Sequence, residues 1–131
     1  MKSSKTVLTV DDDSSIRLLI RSALRSLKAV KVIEAEDGLA GLEAFKEHHP
    51  DLVILDVMMP RMDGIDTLKH LRAAPDSADT PVIMLTGVKD QSKLMPLLEN
   101  KSTEYLPKPF IIEILRQKVH GLLFPGNGNG N

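Results

Sequence analysis

Residues 51–64, DLVILDVMMPRMDG, decide the fold of this 131-residue chain. The apolar run LVIL at 52–55 contains β-branched residues, follows a proline and precedes a turn with proline and glycine, which predicts a short strand buried on both faces. Asp56 comes directly after this run. Ligands bind at the carboxyl ends of the strands in an open α/β sheet, and an unpaired charge beside a buried strand is costly. The position of Asp56 therefore predicts a functional carboxylate.

Apolar runs on both sides of this stretch predict four more strands, each followed by a segment with helical spacing. The predicted strands are 6–10, 31–35, 52–55, 82–85 and 104–106, and the predicted helices begin near Ser14, Asp37, Gly64, Lys93 and Pro109. The apolar face of the first helix contains Ile16, Leu19, Ile20, Ala23, Leu24 and Leu27. This alternation predicts an α/β fold, in which a doubly wound, five-stranded parallel sheet carries helices on both faces.

Three prolines refine this prediction. Pro96 weakens the helix predicted around 93–100, because it removes a hydrogen bond and crowds the preceding turn. Pro107 places the fifth strand at an edge of the sheet, where a missing N–H is tolerated. Pro109 suits the first turn of the last helix. That helix is predicted to bury Ile111, Ile112, Leu115, Val119 and Leu122.

Composition indicates one globular domain at residues 1–124, followed by a Gly/Asn tail at 125–131 that we expect to be disordered. A net charge of -1 gives no electrostatic footprint for nucleic acid or an anionic membrane. The chain has no cysteine, which excludes disulfides, thiolate metal sites and cysteine catalysis. No apolar run approaches the roughly 20 residues of a membrane span, and residues 1–5 lack the apolar segment of a signal peptide. We therefore expect a cytoplasmic protein.

Functional side chains occupy the predicted carboxyl ends of the strands. They are Asp11 and Asp12 after the first strand, Asp56 after the third, Thr86 at the fourth and Lys108 past the fifth. If the first and third strands are neighbours, these groups converge on one crevice. Two carboxylates about 4 Å apart repel by roughly 4 kcal/mol at an effective dielectric near 20, so three carboxylates need a cation besides Lys108. An all-oxygen site of this kind favours Mg²⁺. Beside Mg²⁺, a lysine and a hydroxyl, the Asp56 carboxylate is equipped to attack phosphorus.

Four motifs, in this order, resemble those of the response-regulator receiver domain. They are VDD at 10–12, LDVMMP at 55–60 with DG at 63–64, MLTG at 84–87 and YLPKPF at 105–110. Each motif alone is weak, whereas their joint occurrence across residues 6–123 is specific. The resemblance implies a flavodoxin-like sheet with strand order 2-1-3-4-5. It also implies a phosphoacceptor in two-component or phosphorelay signalling, whose phosphorylation switches a protein-binding surface.

The resemblance further implies a role for each matching residue in the metal and phosphoryl sites. Asp56 would accept the phosphoryl group in a Mg²⁺-dependent transfer from phosphohistidine. Asp12 would bind the metal directly, Asp11 through water, and the backbone carbonyl of Met58 would be a further ligand. These residues would make the domain catalyse its own phosphorylation and dephosphorylation without being an enzyme in the ordinary sense.

Three residues near the fourth and fifth strands would complete the phosphoryl site and the switch. Thr86 and Lys108 would bind the phosphoryl group, and the bond between Lys108 and Pro109 would be cis. Tyr105 would be the aromatic side chain whose rotamer follows Thr86. The implied partners are a sensor histidine kinase or histidine phosphotransfer protein and a downstream protein target, with no direct contact to nucleic acid or membrane. The chain would be a monomer or a weak phosphorylation-dependent dimer.

Three departures from the family pattern affect details. Residues 99–103, ENKST, replace the usual small-residue turn before the fifth strand, and Pro96 lies in the preceding helix. Both fall on the face that reads out phosphorylation in the family. Met58 and Val88 are apolar where polar side chains can assist an attacking water, which predicts slow self-dephosphorylation.

Two other functions remain open from the sequence. A phosphatase of the haloacid-dehalogenase type would use Asp11 as nucleophile and Asp13 as acid, but it would leave Asp56 unexplained, and the chain is short for that fold. Asp13 otherwise suits a helix cap. The second alternative is a receiver-like interaction module that no longer accepts phosphate. The sequence also leaves open a stand-alone receiver or a fragment of a longer protein.

Overall fold

The computed structural model describes residues 4–87, 92, 95–96 and 102–125, and its centre is a five-stranded parallel sheet. The strands are β1 (Lys5–Val10), β2 (Val30–Ala35), β3 (Leu52–Asp56), β4 (Val82–Thr86) and β5 (Thr103–Pro107). Their order in the sheet is β2-β1-β3-β4-β5. This order and the parallel pairing confirm the predicted doubly wound sheet, and β5 lies at the predicted edge.

Four helices are bounded within the described residues: α1 (Ser14–Leu24), α2 (Gly38–His48), α3 (Gly64–Ala73) and α4 (Ile112–Leu123). Four regions lie wholly or mostly outside the described residues: most of the helix predicted around 93–100, the position of Val88, most of the 99–103 turn and the tail after Pro125. None of the described helices is long and apolar enough to cross a membrane.

The central strand β3 is buried on both faces, as predicted. Its side chains alternate between two apolar clusters, because successive residues of a strand point to opposite faces. Val53 and Leu55 belong to the cluster that α2 and α3 cover, whereas Leu52 and Ile54 belong to the cluster that α1 and α4 cover. Because helices pack on both faces of β3, Asp56 has a fixed position at the end of this strand.

Three of the helices begin at an aspartate N-cap. Asp13, Asp37 and Asp63 accept hydrogen bonds from the backbone N–H groups of Ser15, Ala40 and Asp66 at 2.8–2.9 Å. Such a cap satisfies a backbone donor that has no partner inside the helix. The cap predicted for Asp13 is confirmed.

Two expectations for helix faces were wrong. The last helix begins at Ile112, so Pro109 precedes it, and Ile111 is its N-cap and 67% exposed. Its buried residues follow one another at intervals of four and are Leu115, Val119 and Leu123, whereas Leu122 is only half-buried. In α1 the buried residues are Ile20 and Leu24, and Leu19 is 45% exposed.

Arg72 closes the amino end of the sheet. Its guanidinium donates to the backbone carbonyls of residues 77, 78, 80 and 102 at 2.9–3.2 Å and to the hydroxyl of Thr103 at 2.8 and 3.1 Å. One side chain on α3 therefore joins the segment before β4 to the start of β5. Burial lowers the pKa of this guanidinium, and the charge of Asp79 opposes that effect.

Candidate functional site

Three carboxylates meet at the carboxyl edge of the sheet. Asp56 ends β3, and Asp11 and Asp12 directly follow the neighbouring strand β1. One carboxylate oxygen from each of the three lies within 4.8 Å of the other two. Asp11 and Asp56 are buried, whereas Asp12 is exposed. The three carboxylates that the strand ends were predicted to bring together therefore lie close to one another in the fold.

Lys108 also reaches this cluster. It follows β5, and its Nζ lies 2.6 Å from Oδ1 of Asp56. Burial raises the pKa of Asp56, while the hydrogen bond and charge of Lys108 oppose that rise. The bond between Lys108 and Pro109 is cis, as predicted. Lys108 pairs directly with Asp56, and its charge also opposes the rise that burial causes in the pKa of Asp11. Among the described residues of the site, the charges of three ionised carboxylates exceed that of Lys108.

The buried carboxylate of Asp11 has one satisfied and one unsatisfied oxygen. Its Oδ1 accepts a hydrogen bond from the backbone N–H of Asp13 at 2.9 Å. Its Oδ2 has no hydrogen-bond partner in the described part of the chain. Burial raises the pKa of Asp11 to about 6, and the charge of Asp56 adds to the rise. A buried acceptor without a donor is costly, so this oxygen is suited to a bound cation.

The donor set fits a hard divalent cation. It consists of carboxylate oxygens from Asp11, Asp12 and Asp56, with exposed Asp12 at the open side. Oxygen ligands of this type are those that Mg²⁺ and Ca²⁺ take in proteins. The acidic cluster could therefore hold a metal ion.

The remaining predicted residues differ in exposure. Thr86 ends β4 and is buried, and its hydroxyl donates to the backbone carbonyl of Gly87 at 3.0 Å. Tyr105 on β5 is 38% exposed, and the Met58 side chain is 66% exposed. Because Asp56 is in register with Leu85, Thr86 lies one residue beyond Asp56 on the adjacent strand.

Gly64 holds the segment after Asp56 against the end of β3. Its N–H donates to the carbonyl of Val57 at 2.8 Å. A Cβ at this position would lie 2.1 Å from the backbone oxygen of Asp56 and 2.8 Å from Cα of Val57. Only glycine permits this approach, which explains why the loop that carries Met58 returns so closely to the acidic cluster.

Two arginines near the site were not predicted from the sequence. Arg17 on α1 donates to the backbone carbonyl of Asp11 at 2.5 Å and to the carboxylate of Glu34 at 3.0 Å. Arg61, in the loop after β3, forms an ion pair with buried Asp37. The helical spacing of Arg17 indicated only a polar face, and Arg61 had no sequence signal, since its partner is 24 residues away.

The acid required by the phosphatase alternative has a different contact. The Asp13 carboxylate accepts the N–H of Ser15 at 2.8 Å as the cap of α1, and it is not a member of the three-carboxylate cluster. Asp56, which that alternative leaves without a role, lies at the centre of the cluster.

The chain is similar to known signalling proteins over most of its length. The family described as the response regulator receiver domain matches residues 7–120. The response regulator MprA of Mycobacterium sp. (strain KMS) is 38% identical over 117 residues, which are 89% of this chain and 50% of MprA. The chain thus spans about half the length of the curated relatives it matches.

Solved structures give the same similarity at the level of the fold. The receiver domain of the Francisella response regulator 1452 has a TM-score of 0.80 and 32% identity, covering 92% of this chain and 97% of that chain. The chemotaxis response regulator CheY4 of Vibrio cholerae has a TM-score of 0.80 and 31% identity, covering 91% of this chain and 98% of that chain.

Proposed function

Because the chain belongs to the response regulator receiver domain family, a phosphoacceptor signalling family of two-component systems, we propose that Asp56 is the residue that accepts the phosphoryl group. The observation that carries the proposal is the contact between the buried Asp56 carboxylate and Lys108, 2.6 Å apart beside two further carboxylates. This carboxylate is the one that both an ammonium and a bound cation could stabilise in its ionised, nucleophilic form.

The proposed cofactor is Mg²⁺, held by Asp11, Asp12 and Asp56 together with the backbone carbonyl of Met58. The unpaired buried oxygen of Asp11 and the excess of carboxylates support this assignment. When bound, the ion would supply positive charge to the oxygens of the phosphoryl group that is being transferred.

The proposed reaction is an in-line displacement at phosphorus. A carboxylate oxygen of Asp56 attacks the phosphorus of a phosphohistidine, a P–O bond forms, and the P–N bond breaks. The histidine nitrogen leaves with the electron pair and takes a proton from solvent. Lys108 neutralises the transferred oxygens, and the Thr86 hydroxyl exchanges its bond to Gly87 for one to the phosphoryl group. Tyr105, partly exposed on the adjacent strand, would follow Thr86 and change the surface that a target binds.

The proposed phosphodonor is a sensor histidine kinase or a histidine phosphotransfer protein, and the proposed receiver of the signal is a downstream protein. The support is membership of the family, since these partners define two-component signalling. A kinase that uses ATP would place the receiver in the cytoplasm, as a monomer or as a weak dimer that forms on phosphorylation. For this part of the protein we propose no direct contact with nucleic acid, in keeping with its net charge of -1.

The test is intact-mass spectrometry after incubation with acetyl phosphate and MgCl₂. Wild-type protein should gain one phosphoryl group, and Asp56→Asn should gain none. Asp76→Asn, which removes an exposed acid in the segment between α3 and β4, is the matched control and should label like wild type. Labelling that persists in Asp56→Asn and disappears in Asp11→Asn would support the phosphatase alternative. No labelling of wild type, by acetyl phosphate or by a histidine kinase, would indicate the inert interaction module.

A further inference from the structure

The loop between β3 and α3 carries a non-glycine residue in the left-handed backbone conformation. Arg61 has φ of 67°. This conformation is unfavourable for an L-residue, because its Cβ lies too close to the backbone carbonyl oxygen. The same loop contains Met58, whose carbonyl is a proposed metal ligand. A contact that fixes the backbone at Arg61 can therefore also affect the position of this ligand.

An ion pair holds Arg61 in place. Its Nη2 donates to Oδ2 of Asp37, which is buried at the start of α2. The side chain of Arg61 is 60% exposed, whereas that of Asp37 is 4% exposed. The other oxygen of Asp37 accepts the N–H of Ala40 at 2.9 Å and caps α2. Together these contacts lower the pKa of the Asp37 carboxyl. Because Asp37 is buried and Arg61 is exposed, solvent screens this pair less than it would a fully exposed pair.

A second contact brings the same loop onto the first turn of α2. A Cβ at Gly38 would lie 2.2 Å from Oγ1 of Thr67 and 2.6 Å from the carbonyl oxygen of Met62. Thr67 is itself fixed, since its hydroxyl donates to the carbonyl of Asp63 at 2.8 Å. The end of the loop is therefore packed against α2, and the Arg61 ion pair with Asp37 lies beside this packing contact.

We propose that Arg61 is a positioning residue for the metal site: its ion pair with Asp37 fixes the loop at residues 57–63 and thereby the Met58 carbonyl beside the acidic cluster. Arg61 contributes no ligand of its own. The inference rests on the proposed function, since it assigns a role toward the Mg²⁺ that Asp11, Asp12 and Asp56 are proposed to hold. Groups that hydrogen-bond directly to metal ligands typically affect metal affinity by 10- to 100-fold, and we expect the lower end of this range for a residue that acts through the loop.

The experiment measures Mg²⁺ affinity by isothermal titration calorimetry with MgCl₂, in wild type and in Arg61→Ala, Arg61→Lys and Asp37→Asn. Asn retains the capping oxygen of Asp37 and removes its charge, so α2 keeps its first turn. Arg116→Ala, which removes an ion pair with Glu113 on α4, is the matched control. Hydrogen exchange of residues 57–63 in EDTA is measured on the same proteins.

We expect Arg61→Ala and Asp37→Asn each to weaken Mg²⁺ binding by about tenfold. The double variant should bind no more weakly than the weaker single variant, because both changes remove the same contact. Arg61→Lys should restore part of the affinity, and Arg116→Ala should bind like wild type. Without metal, residues 57–63 should exchange faster in Arg61→Ala than in wild type.

Two other results would overturn the inference in distinguishable ways. If Arg61→Ala lowers the urea midpoint but binds Mg²⁺ with wild-type affinity, Arg61 only stabilises the fold, and the proposed function is unaffected. If wild type binds Mg²⁺ no better than Asp11→Asn does, the metal site itself is wrong, and the proposed function fails together with this inference.

Discussion

Replacing Asp11 by asparagine should stabilise the metal-free protein, although it removes a proposed metal ligand. The asparagine side chain keeps the oxygen that accepts the N–H of Asp13. It removes the charge from a buried carboxylate whose second oxygen has no partner among the residues that the structure describes. The variant therefore separates the cost that Asp11 imposes on the fold from its use in binding a cation.

The size of this effect follows from proton linkage. Burial raises the pKa of Asp11 from 3.8 to about 6. Between these values the folded state binds more protons than the unfolded state, so the free energy of unfolding falls as pH rises. At about 1.36 kcal/mol per pKa unit, the ionised carboxylate costs up to about 3 kcal/mol above pH 6. The amide that Asp11→Asn introduces must also find an acceptor, which reduces the expected gain to about 1–3 kcal/mol.

The assay is urea unfolding in EDTA from pH 4 to pH 8, followed by far-ultraviolet circular dichroism because the chain has no tryptophan. Asp11→Asn should exceed wild type in unfolding free energy at pH 7.5, and the difference should shrink toward pH 4, where Asp11 is protonated. Asp76→Asn, which removes an exposed charge, should show no such pH-dependent gain.

Adding Mg²⁺ should reverse the ranking of the two proteins. A ligand at 100 times its Kd stabilises the folded state by about 2.7 kcal/mol, and the Asp11→Asn variant should gain much less because it lacks a ligand charge. The reasoning is refuted if Asp11→Asn is less stable than wild type in EDTA at pH 7.5, or if the difference between them does not depend on pH.

Three further predictions concern the phosphoryl site and the loop after β3. Lys108→Ala should slow labelling of Asp56 by acetyl phosphate about 10²-fold, because it removes the ammonium 2.6 Å from the carboxylate; a mass-spectrometric time course close to wild type would contradict this role. The wild-type acyl phosphate should decay slowly, and fast decay would refute this prediction. Met58→Asn should accelerate the decay several-fold, because its side chain would help to orient water. Gly64→Ala should lower the unfolding free energy by about 1–3 kcal/mol, since its Cβ would lie 2.1 Å from the Asp56 carbonyl oxygen. Gly121→Ala, where a Cβ meets nothing within 4 Å, should instead raise it by up to about 1 kcal/mol, so equal effects in urea titrations would disprove the steric explanation.

The fold was predictable because its decisive signals are local. The LVIL run preceding Asp56 specifies a strand buried on both faces, and the alternation of strands and helices specifies a parallel sheet. The residue at which a helix begins is harder to predict from local sequence. Ile111 was expected in the core, but the helix begins at Ile112, so Ile111 is the N-cap and its side chain is exposed to solvent.

The main residues of the site were predictable from the sequence, but the side chains that hold them in place were not. Strand ends determine that Asp11, Asp56 and Lys108 converge, and the structure brings them together. Arg17 and Arg61 contact acids that lie on other elements of the chain, and no sequence period encodes such contacts. The unpaired oxygen of Asp11 is likewise a property of the packed structure, since it depends on every donor near it.

The contacts of Arg72 at the amino end of the sheet make its two ends respond differently to a change of pH. Its acceptors are four carbonyls and a hydroxyl, which do not titrate in the physiological range. The carboxyl end carries an acidic cluster whose charge depends on pH. The contacts of Arg72 at the amino end therefore differ in kind from the ionisable groups at the carboxyl end. A change of charge among these carboxylates leaves the chain connections that Arg72 makes in place.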